Sequence, residues 1–172
     1  MKHVRNAIIA LVLLVLIVGC LIPQNLSNPV DKADNKSYNQ KSFWYYPWGK
    51  SGTHKGVDIF AKEGTSVTSS TRGLVIFTGE IQLGGKVVIV LGPKWRSHYY
   101  AHLKDINIEF LSWTAQGERI GSVGTTGNAK GKSPHLHYSI VTLIPYPWRI
   151  DSEKQGWKKM FYLNPISYLQ QL

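Results

Sequence analysis

Three short segments carry side chains that can do chemistry together. Ser133-Pro134-His135-Leu136-His137-Tyr138 holds a His-x-His pair. The side-chain period of an extended strand is two, so His135 and His137 are expected on one face. Two imidazoles so placed share a metal, or one binds it while the other handles a proton. Far upstream, His54-Lys55-Gly56-Val57-Asp58 offers an imidazole and a carboxylate in one span. That spacing suits a helical face or a loop, and Gly56 with β-branched Val57 favours a loop entering a strand. Between the two lies Tyr99-Tyr100-Ala101-His102-Leu103, a further imidazole in an aromatic strand. A catalytic zinc takes three ligands from His, Asp and Glu and keeps a fourth position for water. His-x3-Asp alone is weak evidence for such a site; the three segments together are much stronger.

The elements that must position these groups are short and β-rich. Val57-Asp58-Ile59-Phe60, Ser66 to Ser69, Gly73 to Gly79 and Gly85 to Leu91 read as strands bounded by turn residues. Ser97 to Leu103, Arg119 to Gly124 and His135 to Thr142 continue the series. The glycines at 121, 124, 127 and 131 suit a tight loop that brings the His135 strand close to the site. Helical periodicity is scarce; Asn164 is placed to cap a short C-terminal helix from Pro165 through Leu169. With no repeat and no βαβ alternation, the expected fold is all-β and mainly antiparallel, a small sandwich or barrel-like single domain. His98 shares a face with His102 in a regular strand, and reads as a surface or edge histidine rather than a ligand. Gly131-Lys132-Ser133 lacks the upstream glycine and the helix of a phosphate loop. No His-Glu-x-x-His helix is present.

The N-terminus bears on compartment. Met1-Lys2-His3-Val4-Arg5 is a basic start, followed by an apolar run from Ala7 to Val18. Ile17-Val18-Gly19-Cys20 resembles a bacterial lipobox, which makes Cys20 a candidate lipidation site; an uncleaved membrane anchor is the alternative. Either way the domain is expected outside the cytoplasmic membrane, in the bacterial cell envelope. Cys20 is the only cysteine among 172 residues, so disulfides, cysteine–zinc sites and a cysteine nucleophile in the folded domain are excluded. Residues 21–42 are polar and aperiodic and read as a flexible linker. Next comes the aromatic run Phe43 to Trp48, either core packing or a groove wall; Trp44, Tyr46 and Trp48, with Tyr100, are candidate substrate-groove residues. The formal charge of +10 points to an anionic partner. The basic residues are dispersed and no nucleic-acid module is recognisable, so a cell envelope fits better than nucleic acid.

His54-x3-Asp58, Tyr100-Ala101-His102-Leu103 and Pro134-His135-Leu136-His137-Tyr138 together resemble the signature segments of the lysostaphin-type (LytM-like) zinc metallopeptidases. The resemblance covers roughly Phe43 to Leu143. It implies a small antiparallel β fold, a groove over Zn2+, and cleavage of peptide bonds in peptidoglycan. By position it implies His54, Asp58 and His137 as zinc ligands, with His102 and His135 as catalytic non-ligand histidines. His135 is then the expected general base, and His102 the group that steadies the oxyanion or steers the water. On this division 1–20 is the signal or anchor, 43–150 the peptidase domain, and 151–172 an extension packed on it. The competing reading is a catalytically silent module of the same fold, which binds the wall or activates a partner cell-wall hydrolase.

Overall fold

The computed structural model describes residues 1–170. A helix, α1, spans Lys2–Leu21 and is long and apolar enough to cross a membrane. The strands are β1 (Val57–Phe60), β2 (Ser66–Thr68), β3 (Gly73–Ile81), β4 (Gly85–Gly92) and β5 (Arg96–Ile106). They are followed by β6 (Trp113–Thr114), β7 (Arg119–Val123), β8 (His135–Thr142) and β9 (Tyr162–Leu163). A short helix, α2, covers Ile166–Leu169, and the Asn164 side chain accepts the Ile166 N–H at 3.1 Å. The helix begins one residue later than expected from sequence, so Pro165 takes the cap position and the Asn164 side chain binds the first helical N–H from one residue further out. The last residues of the expected C-terminal extension, 171–172, lie outside the described residues.

The nine strands form one antiparallel sheet with the order β1-β8-β5-β4-β3-β6; β7 pairs with β5 and β2, and β9 with β8. The path ends at β1 and β6, so the sheet is open rather than closed into a barrel. Alternation explains the core. Val57, Ile59, Leu136, Tyr138, Ile140 and Tyr100 point to one face of neighbouring strands and are fully buried there. The residues between them on β1 and β8 are thereby turned to the opposite face, where the site lies.

The segment expected as a flexible linker differs from that reading. Val30 bridges Val67 on β2 and is buried with Tyr38 in the core. Main-chain hydrogen bonds join Ser27 to Ser70, Asp31 to Ser66 and Phe60 to Ser37. Closer to α1, Gln24 Oε1 accepts from Arg96 at 2.6 Å, and Gln24 Nε2 lies 2.9 Å from His98 Nε2. Its apolar anchors are too few to form a period, but the free edge of β2 supplies backbone groups for it to pair with.

Candidate active site

Register assembles the site. Asp58 stands opposite His137 across the β1–β8 ladder, and Phe60 opposite His135; on the other side of β8, Ala101 of β5 faces His137. Asp58, His135 and His137 therefore share the groove face. His54 reaches the same point from the loop before β1, where Gly56 is required: a Cβ there would collide with Ser139 Oγ and the Tyr138 carbonyl.

His102 arrives by a different route. Strict alternation would turn it into the core beside Tyr100. Instead the β4–β5 register slips between Val88 and Lys86, and His102 takes a left-handed backbone with φ 64°. This bulge turns its ring toward the groove, 5.0 Å from the His135 ring. The same slip removes the expected common face of His98 and His102. His98 is not at the surface but fully buried, with Nδ1 2.7 Å from the Tyr138 hydroxyl.

Three atoms converge. His137 Nδ1 is 2.7 Å from Asp58 Oδ1, His54 Nε2 is 3.0 Å from the same oxygen, and the two nitrogens are 3.1 Å apart. His54 Nδ1 donates to the Ser42 carbonyl at 3.0 Å, and His137 Nε2 meets Ser139 Oγ at 3.0 Å. The Ser42 contact fixes the His54 proton on Nδ1, so the Nε2 lone pair faces a carboxylate oxygen. Two lone pairs at that distance repel unless a cation lies between them. Two imidazoles held from behind, with a carboxylate, are a donor set that fits zinc.

Electrostatics agree with that arrangement. Burial alone would raise the Asp58 carboxyl, but a hydrogen bond from His137 and the His54 imidazole set against the same oxygen hold it well below the usual carboxylate range. Burial depresses His137, against the pull of Asp58. His102 is pushed down to about 4 by burial and by the charges of His137 and His135. Its Nδ1 donates to the Thr126 carbonyl at 2.9 Å, leaving Nε2 as an acceptor. His135 Nδ1 likewise donates to the Ser133 carbonyl at 2.8 Å, and its Nε2 lies 3.9 Å from Asp58 Oδ2.

These five residues line a cavity of about 710 Å³. Of the four aromatic groove candidates, Trp48 alone lines it, stacked on His54 at 4.2 Å between ring centroids. Trp44 is buried beside Tyr162 and donates from Nε1 to the Lys154 carbonyl at 3.1 Å. Tyr46 is exposed outside the cavity lining. Tyr100 is a core residue whose hydroxyl accepts the Ser70 N–H at 2.8 Å. Groups that sequence reasoning missed are Ser139, the Ser42 carbonyl, Tyr99 and Tyr162. Ser139 was within reach: it follows His137 by one strand period. Cys20 is exposed near the end of α1.

An antiparallel sheet bearing a His-Asp-His donor set, with two more imidazoles beside it, has the parts of a hydrolase. The chain belongs to Peptidase family M23, whose profile matches residues 52–146. It is 35% identical over 127 residues to the L-Ala–D-Glu endopeptidase of Bacillus subtilis (strain 168), covering 64% of this chain and 39% of that protein. It is 33% identical over 88 residues to the peptidoglycan DD-endopeptidase ShyA of Vibrio cholerae, covering 51% of this chain and 20% of that protein. The chain thus spans well under half the length of either relative. The lysostaphin catalytic domain of Staphylococcus simulans superposes with a TM-score of 0.60 at 25% identity, covering 75% of this chain and 89% of that one. The longer lysostaphin structure gives a TM-score of 0.65 at 22% identity, covering 86% of this chain and 54% of that one, a likeness of fold.

Proposed function

We propose that this chain is a zinc-dependent endopeptidase that hydrolyses peptide bonds of peptidoglycan, acting from the outer face of a bacterial membrane to which its N-terminus anchors it. The convergence of His54 Nε2, Asp58 Oδ1 and His137 Nδ1 within 3.1 Å carries the reading. The family supports the substrate class, and relatives named as peptidoglycan endopeptidases support the reaction. An apolar α1 ending beside Cys20 supports the anchor, by lipid or by the helix itself.

Zinc, when bound there, supplies a Lewis acid that polarises a carbonyl and makes water more acidic. The histidines divide the proton work. His135 Nε2 faces the groove with its other nitrogen satisfied, 3.9 Å from Asp58 Oδ2. It takes the proton of the attacking water as general base and returns it to the leaving amine. His102 is penalised for carrying charge and presents a lone pair, so it orients the water by accepting its hydrogen bond. A resting donor to the oxyanion does not suit that tautomer. A silent wall-binding or hydrolase-activating module has no need of both non-ligand histidines, and here both accompany the intact donor set.

Metal content and turnover measured together test the reading. Wild-type protein and His135→Ala are expected to hold about one zinc per chain, with turnover lost only in the variant. Asp58→Ala is expected to lose both. Asp58→Ala with wild-type metal content and activity would refute the donor set.

A further inference from the structure

The groove is lined on several sides by ammonium groups that have no partner acid among the described residues. Lys50, Lys55, Lys132 and Lys158 all border the main cavity, and among the described residues its only lining carboxylate is Asp58, which is engaged with His54 and His137. Among the described residues, none of these four lysines has a carboxylate within 4.0 Å, whereas the neighbouring Lys159 is paired with both Asp151 and Glu153. Lys55 Nζ is held by the Ser51 carbonyl at 2.9 Å and the Thr53 carbonyl at 3.3 Å, contacts that fix its position without supplying a countercharge.

Lys55 also stands at a junction. A second cavity of about 360 Å³ shares Lys55, Tyr99, His137 and Tyr162 with the first, and continues over the apolar side chains Ile76, Ile89 and Val141. A ligand that fills both spaces places a carboxylate on Lys55 and Lys158 and a small apolar side chain just beyond. Peptidoglycan stem peptides, which carry free carboxylates next to alanine methyl groups, have that chemistry. A neutral glycine bridge has neither.

We infer that Lys55 and Lys158 form an anion subsite that selects a stem peptide with a free carboxylate beside the scissile bond. The inference rests on the peptidase reading and adds the substrate's charge to it. Partly exposed charge pairs of this kind give selectivity that salt weakens.

The test is a binding titration on the full chain in detergent, zinc-loaded and carrying His135→Ala so that no turnover intervenes. The probes are two synthetic L-Ala–γ-D-Glu stem tetrapeptides, identical except that the α-carboxyl of D-Glu is free in one and amidated in the other. We expect the free acid to bind about tenfold tighter at low salt, and the preference to shrink at 0.5 M salt. Lys55→Gln and Lys158→Gln, each melting at the parent temperature, should each cut the preference several-fold. Equal affinity for the two peptides, or a preference unchanged in both variants, overturns the subsite. Displacement of the free acid by a glycerol-phosphate oligomer at lower concentration than by the peptide itself also overturns it. A wild-type enzyme that shows the preference but cleaves neither these peptides nor cross-linked peptidoglycan supports the subsite and refutes the peptidase reading.

Discussion

Asp58 and His137 face each other across one rung of the β1–β8 ladder, their Oδ1 and Nδ1 atoms 2.7 Å apart. Strands fixed by core packing on one side therefore set donor geometry on the other. A shift of one residue in that register would send Asp58 into the core and break the site. The support continues outward along β8 to Ser139, whose hydroxyl lies 3.0 Å from His137 Nε2.

Ser139→Ala removes that outer contact without touching a donor atom. Metal affinity is expected to fall by about 10- to 100-fold, the usual cost of losing a group that orients a ligand. Zinc competition with a chelator reads it directly, while the folded state should melt within a few degrees of wild type.

The two non-ligand histidines should separate in pH behaviour. His102 is held down to about 4, so it stays neutral and able to accept across pH 5 to 8. The acid limb of the rate profile above pH 5 is therefore not its own. His135→Ala should lower kcat by about 10²- to 10⁴-fold, the range for removing a general base. Rate profiles of wild type and His102→Gln should share the same acid limb if the assignment holds.

The segment from Ser27 to Ser42 is expected to be part of the folded unit. Val30 is 1% exposed, so Val30→Ala should cost about 2 kcal/mol. That lowers the melting temperature by several degrees, measurable by calorimetry. Removing residues 24–42 also takes away the Ser42 carbonyl that holds His54 Nδ1, so zinc affinity should fall along with stability. A chain starting at Phe43 that binds zinc as tightly as the intact protein would contradict this.

Stability should depend on pH through His98. Burial, with the nearby Arg96 charge, pushes it down to about 3, against about 6.5 for an unperturbed histidine. Between those values the unfolded chain binds a proton that the native chain does not, so stability rises with pH. His98's cost is absent above about pH 6.5 and grows as pH falls toward 3. The urea midpoint should drop between pH 7.5 and 5.0, and His98→Gln should flatten that drop.

Much of this was legible in the sequence because period-two alternation carries through β1 and β8. It paired His135 with His137 and gave strand boundaries close to those observed, β8 without change. What alternation could not reveal is the bulge at His102, since a left-handed residue inside a strand leaves no mark in residue type. The same blind spot sent His98 to the surface and Tyr100 to the groove. Val30 and Tyr38 were hidden for another reason. Isolated apolar residues in a polar stretch acquire meaning only when a free sheet edge and a core are present to receive them. Trp44 and Trp48 differ by one loop turn, and composition cannot say which of two neighbouring tryptophans faces inward.

The most direct measurement is digestion of purified peptidoglycan by the zinc-loaded full chain, with and without a chelator, and identification of the released fragments by mass. The account predicts soluble peptide-bearing fragments with new amino termini, lost on chelation and restored by zinc. No release from folded, zinc-loaded protein, or release that the chelator leaves unchanged, would contradict it.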